Sequence, residues 1–358
     1  MIPHNIRPKK KTVRVILAVK NFAAIPGVCH IGLGVTATNT MKVLRRAGYF
    51  CEAWAIQKTH ELHDKLVKAE NDSQLITHVI VSAPWINAVR FKQFCLEFPN
   101  IEFVLLNHSG CAFLSIDKHG IQTNRDCLDL ELHVHNFRVA GNNIRFVNWV
   151  TRAFGVPCLH LPNLYDTESF INPYPRRGIT NPLRLGSFGA GRIWKNQLTA
   201  AEAAVEIGRA LGVDIELYVN AKRPDGGERT IEARKELFTN LRGCKLIEVP
   251  WEPWSRFRST MGLMNLGLQP SFDETFNVVT ADGIAVGVPS VTSSSIEWTP
   301  RQWWSNTPED PTDIMKTALY LLQDSFSVDE GRENLKQYVK NGLRLWKKYL
   351  VKNDENQS

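Results

Sequence analysis

Three carboxylates and two cations stand at spacings that could do chemistry. Asp273 and Glu274 are adjacent, Asp282 follows Glu274 by eight residues, and Arg192 and Lys195 lie upstream of all three. Carboxylates so placed hydrogen-bond hydroxyl groups or move protons, and a guanidinium next to an ammonium receives phosphate oxygens. Gly189 and Gly191 flank Ala190 just before those cations. Glycines let backbone N–H groups approach an oxyanion, and the helical pattern from 197 to 211 would turn its N-terminus to the same spot. The bland reading of Arg192 and Lys195 is two solvated cations in a turn.

Those residues need a scaffold, and the stretch 264–293 supplies the pattern for one. Met264, Leu266 and Leu268 form an apolar run, Pro270 and Ser271 open a loop holding the acids, and a small-residue helix follows. Gly287-Val288-Pro289 then breaks the chain before the run Ser290-Val291-Thr292. Strand, loop, helix, turn and strand in that order make a βαβ unit of a parallel sheet, whose ligands sit at strand carboxyl ends. The same logic applies elsewhere. Strands are expected at 13–19, 50–56, 77–82, 101–106, 183–188, 214–219 and 245–249, with helices between them. His108 follows the end of the 101–106 strand, where it either caps the surface or touches a ligand. Trp251 follows the 245–249 strand, as a stacking face for a base or as a core tryptophan.

In the first half, a loop over 21–34 precedes a helix over 35–47 that ends at Gly48. Gly32 and Gly34 fall in that loop, where two glycines by themselves make a turn. The dinucleotide fingerprint GxGxxG is incomplete because Ala37 takes its third position, which excludes a nicotinamide site. His133 and His135, two apart, would share one face of a strand, but no third ligand with zinc-like spacing follows. Cys111 has no activating neighbour in sequence and is not expected to be a nucleophile.

A chain of 358 residues suits two domains. The first 165 residues hold 19 basic against 11 acidic residues, and the rest 24 against 25, so the whole +7 excess lies in the first half. That charge fits either an anionic partner or a basic arm over 1–11 that aids solubility. No apolar run reaches the roughly 20 residues of a membrane span. Arg14 interrupts the first apolar stretch, which argues against a secretory leader. Seven scattered cysteines without a CxxC pair fit reduced thiols and a cytoplasmic location.

The stretch Pro270-Ser271 through Pro289 resembles the donor-site signature of retaining GT-B glycosyltransferases of family 4, in which two glutamates stand eight positions apart. Here the pair is Glu274 and Asp282, and Thr275-Phe276-Asn277 takes the place of the signature's Gly-Phe-Gly. Leu161-Pro162-Asn163 with Asp166 resembles the family's interdomain handover, and the glycine loop with Arg192 and Lys195 resembles its phosphate loop. The resemblance implies an α/β GT-B fold, two Rossmann-like domains with parallel sheets facing a cleft. Its domains would be an acceptor domain over 12–165, a linker over 166–180, a nucleotide-sugar domain over 181–320, and a C-terminal helix over 321–358 crossing back.

It also implies glycosyl transfer, with retention and without a metal or cofactor, from a UDP- or GDP-sugar to an acceptor hydroxyl. Gly189, Gly191, Arg192 and Lys195 would hold the diphosphate, and the loop with Gly32 and Gly34 would approach the donor phosphates or the acceptor. Glu274, Phe276, Asn277 and Val278 would hold the sugar, with His108 beside it, and Asp282 the ribose. The charge makes a nucleic acid or an anionic membrane surface the acceptor to test. A sugar-nucleotide epimerase, a phosphorylase and a non-catalytic binding protein are the rivals.

Overall fold

The computed structural model describes residues 13–20, 31–115, 117, 119–170, 178–221 and 223–355. The expected basic arm over 1–11, most of the loop over 21–34, and part of the expected linker lie outside these residues.

The chain alternates strands and helices. The first half runs β1 (Arg14–Lys20), α1 (Ile31–Arg46), β2 (Phe50–Ile56), α2 (Thr59–Asn71), β3 (His78–Ser82), α3 (Ala88–Glu97), β4 (Glu102–Asn107), α4 (Gly120–His133), β5 (Phe137–Gly141), α5 (Ile144–Phe154) and β6 (Leu159–His160). The second half runs β7 (Leu183–Ser187), α6 (Gln197–Leu211), β8 (Ile215–Asn220), α7 (Glu228–Phe238), β9 (Cys244–Val249), α8 (Trp254–Met261), β10 (Leu266–Leu268), α9 (Val278–Ala285), β11 (Ser290–Val291), α10 (Pro311–Gln323) and α11 (Ser327–Glu355).

Every strand pairing is parallel. The sheets are ordered β2-β1-β3-β4-β5-β6 and β11-β10-β7-β8-β9. The near-continuous apolar runs explain this choice, since β3 and β4 are buried at every position and such strands need helices on both faces. The strand order reverses between β1 and β3 in one sheet and between β7 and β10 in the other. Each reversal opens a crevice at the strand carboxyl ends. Lys20 and the turn after Ser82 border the first crevice, and the loops after Ser187 and Leu268 border the second.

Two expectations need correction. α1 begins at Ile31, so Gly32 and Gly34 belong to its first turns rather than to a loop. The first N–H groups of a helix have no intrahelical partner, so glycine is tolerated there, and a Cβ added at either residue would meet nothing within 4 Å. His133 is the last residue of α4, where it pairs with Asp129 one turn back at 3.7 Å. It therefore shares no strand face with His135, because β5 starts only at Phe137.

α11 joins the two halves. Near its start Gly331 leaves room for the buried Trp303 ring, which would lie 2.5 Å from an added Cβ. Farther on, Trp346 Nε1 donates to the Pro162 carbonyl at 2.8 Å, and Tyr349 Oη donates to Glu102 Oε1 at 3.0 Å. Trp346 is 1% exposed. Trp346→Ala should therefore cost about 3–5 kcal/mol in denaturant unfolding. Trp346→Phe, which keeps most of the packing and loses one hydrogen bond, should cost nearer 1 kcal/mol.

Candidate functional site

The loop after β7 must turn sharply to bring its cations to the crevice. Gly189 has φ +118°, a backbone conformation closed to most side chains, and Asn196 has φ +54°. Asn196 Nδ2 donates to the carbonyls of Pro270, at 3.1 Å, and Pro308, at 2.5 Å, pinning this loop to the one that follows β10. Lys195 Nζ thereby pairs with Glu274 Oε1, their side chains 15% and 10% exposed. The same oxygen accepts from Ser271 Oγ and from Asn277 Nδ2, both at 3.1 Å. Arg192 donates twice to Asp225 Oδ2 at 3.1 Å and lies 4.7 Å above the Phe113 ring.

The glycines serve this loop differently from the sequence expectation. Gly189 N–H donates to Asn220 Oδ1 at 2.8 Å and Gly191 N–H to the Arg223 carbonyl at 2.7 Å. Neither N–H is left pointing at an open site. A side chain at Gly191 would strike Ile231, 2.8 Å away.

Two cavities share Leu33, Arg192 and Lys195 as a common wall. The larger, about 310 Å³, is also lined by Lys20, Trp85, His108, Asp117, Asp273 and Glu274. Lys20 Nζ lies 5.5 Å above the Trp85 ring, whose Nε1 donates to the Ser82 carbonyl. The smaller, about 180 Å³, is lined by Gly32, Gly189, Trp251, Glu252, Trp254, Val278 and Asp282 among others. Gly34 is on neither wall.

His108 is brought here by the end of β4. Asn142 Nδ2 lies 3.2 Å from its Nδ1. An amide NH2 only donates, so Nδ1 is the acceptor and the ring proton sits on Nε2. Nε2 is buried with no protein partner among the described residues. Burial pushes the imidazole pKa down to about 4. The ring is thus a neutral hydrogen-bond donor rather than a proton relay.

The remaining predicted residues separate. Asp282 is 1% exposed, and its Oδ1 accepts from Tyr165 Oη at 2.6 Å and Trp254 Nε1 at 2.9 Å. Burial raises this carboxyl to about 6, against the lowering effect of those two donors. Its oxygen is committed to the protein, because the shortened side chain ends among aromatic donors. Phe276 is on neither cavity wall and packs its ring with Tyr165, Trp298 and Tyr338. Asn277 Oδ1 caps α9 by accepting from Thr280 N, so its side chain serves the helix and Glu274. Trp251 donates to the Ala221 carbonyl, and the Arg223 guanidinium lies 5.1 Å above its ring. Cys111 is exposed and its thiol is raised, mostly by desolvation and then by Asp273, which leaves it unactivated.

Sequence reasoning missed Lys20, Trp85, Glu252, Trp254 and Asn142. Lys20 and Asn142 were within reach of the strand-end rule, since they close β1 and follow β5. No group of three His, Cys, Asp or Glu side chains among the described residues could hold a metal ion. No helix among them is long and apolar enough to cross a membrane.

No family model matches the chain, and no curated protein matches it. Solved structures do match along nearly its whole length. A sucrose-phosphate synthase from Thermosynechococcus elongatus aligns with TM-score 0.63 at 14% identity, covering 94% of this chain and 98% of that one. The catalytic domain of starch synthase IV from Arabidopsis thaliana, bound to ADP and acarbose, aligns with TM-score 0.63 at 10% identity, covering 95% and 99%. A UDP-forming α,α-trehalose-phosphate synthase from Burkholderia vietnamiensis gives 0.61 at 11%, covering 96% and 97%. The chain has the GT-B fold.

The His108 tautomer is directly checkable. Long-range proton–nitrogen NMR should show a protonated Nε2 and ring resonances that stay fixed through the ordinary histidine pKa of about 6.5. The folded pKa lies below the unfolded one, so this histidine's contribution to stability is complete above about 6.5 and is lost as pH falls toward about 4. A ring titrating near 6.5 would contradict the assignment.

Proposed function

We propose that this protein transfers a glycosyl group from a nucleotide sugar to an acceptor hydroxyl. The observation that carries the reading is the Lys195–Glu274 pair, which stands with Arg192 where the two cavities meet. A diphosphate at that junction would leave its nucleoside in the smaller cavity, among Trp251, Glu252 and Trp254. Its sugar would then lie in the larger cavity, against Glu274 and His108. The GT-B likeness to sugar-transferring synthases supports the same reading.

The residues divide the work by charge. An ammonium has three donors. Lys195 spends one on Glu274 and keeps two for the diphosphate, while Arg192 adds a second cation beside it. As the anomeric C–O bond breaks, negative charge gathers on the departing phosphate, where these groups already sit. Glu274 accepts from sugar hydroxyls, and His108 Nε2–H donates to a sugar oxygen. Transfer with retention balances without a protein nucleophile: the acceptor oxygen bonds to the anomeric carbon and its proton passes to the departing phosphate oxygen. UDP- and GDP-sugars are the donors to try first, without added metal.

The acceptor would enter the larger cavity beside Lys20, Asp117 and Asp273. The basic first half makes nucleic acid or an anionic membrane the macromolecular acceptor to test. Duplex DNA affinity should fall steeply and log-linearly with salt if DNA is the acceptor. Weak binding that ignores salt removes DNA.

Incubation with a panel of nucleotide sugars, with nucleotide release as the readout, tests the core of the reading. Wild type should release nucleotide from at least one donor. Lys195→Ala and Glu274→Ala should each lose about 10²–10³-fold in kcat. The departures from the signature at Asp282 and at Thr275-Phe276-Asn277 favour one alternative, a non-catalytic binding protein that kept the fold. Saturable binding without release from any donor would establish that alternative instead.

A further inference from the structure

Glu274 is fixed from two sides. Among the described residues its carboxylate has partners only within its own half of the chain: Lys195, Ser271 and Asn277. Its backbone and its immediate neighbours are held by the other half. Arg145 Nη2 donates to the Glu274 carbonyl at 2.8 Å and to the Ser295 carbonyl at 2.5 Å. Asn142 Nδ2 donates to Thr275 Oγ1 at 3.1 Å, and Asn143 Nδ2 to the Thr275 carbonyl at 3.3 Å. Thr275 Oγ1 donates in turn to the His108 carbonyl at 3.3 Å. Asp273 Oδ2 accepts from Ala112 N–H at 3.1 Å, and a Cβ at Gly110 would stand 2.0 Å from that oxygen.

These contacts converge on three consecutive residues and come from the carboxyl ends of β4 and β5. Asn142 and Asn143 are buried, at 0% and 3% exposure, so their Nδ2 groups need acceptors, and Thr275 supplies one to each. The smaller cavity is lined by none of residues 142–145 or 273–275. The smaller cavity takes Gly32, Leu33 and Val35 from α1 and its other walls from the second half, whereas the backbone at Glu274 and Thr275 is held by residues 142–145.

We propose that Arg145 and Asn142 are positioning residues for Glu274, acting through the backbone of Glu274 and the hydroxyl of Thr275. The proposal rests on Glu274 being the sugar-binding acid. A shift of the acid by about 1 Å is enough to cost on the order of 10²-fold in rate. Arg145 reaches no wall of either donor cavity, which separates its effect from direct ligand contact.

Arg145→Ala in the full chain is the primary test, and Thr275→Val, at a residue that also lines the larger cavity, tests the hydroxyl link. Calorimetry should give a nucleoside diphosphate Kd within about threefold of wild type in both variants, while kcat for nucleotide-sugar turnover falls about 10- to 100-fold. Arg145→Lys, which restores one cationic donor, should recover part of the loss. Amide hydrogen exchange at residues 274–276 should speed up in Arg145→Ala and Thr275→Val. Unchanged kcat overturns the proposal, as does a nucleoside diphosphate Kd that weakens in step with kcat. If wild type turns over no donor, the glycosyltransfer reading fails on its own, and exchange decides the positioning: faster exchange at 274–276 in the variants supports it, and unchanged exchange overturns it.

Discussion

A nearly buried ammonium and carboxylate must be paired, and the Lys195–Glu274 contact is the constraint around which the second half of the chain is arranged. Removing charges from water is costly unless geometry and added hydrogen bonds compensate. Compensation is visible on both sides. Ser271 and Asn277 donate to the carboxylate, and Asn277 at the same time caps α9. Asn196, in a left-handed conformation, ties the lysine loop to the Pro270 carbonyl. Each of these residues does structural work that also fixes one charge relative to the other.

The junction between the halves follows a similar economy. Tyr165 and Asp166 are consecutive yet serve opposite partners. Tyr165 donates to Asp282 in the wall of the smaller cavity, while Asp166 is paired with Arg46 and Lys42 of α1 and donates its N–H to Asn39. Lys42 also lies 5.7 Å above the Trp254 ring, the second donor to Asp282. The helix whose first turn borders the cavity is thus connected through a few side chains to the carboxylate inside it.

Much of the architecture was legible in the sequence because parallel sheets write themselves as unbroken apolar runs separated by helical periodicity. The lysine, arginine and acid loops were legible for a related reason, since polar clusters after such runs fall at strand carboxyl ends. What stayed hidden depended on direction rather than position. Gly189 and Gly191 suit a phosphate loop by composition, but where their N–H groups point is decided by Asn220 and Arg223, far away in sequence. Asp282 has the spacing of a ligand-binding acid, but its shorter arm met aromatic donors that no local pattern announces. The start of α1 was misplaced because glycine is a poor helix former in the interior, a rule that relaxes in the first turn. Asn142 and Arg145 stand either side of the start of α5, and no local pattern marks them as site residues. Their reach to Glu274 and Thr275 exists only once both sheets are in place.

α11 is 29 residues long, which at 1.5 Å per residue is about 43 Å of continuous helix. It is seated near one end against Trp303 and near the other against Pro162 and Glu102. Those seats lie on different sheets, so one unbroken helix ties the second-half tryptophan to the first-half strand and loop. The relative placement of the two sheets is thereby written into the spacing of Gly331, Trp346 and Tyr349 along a single helix.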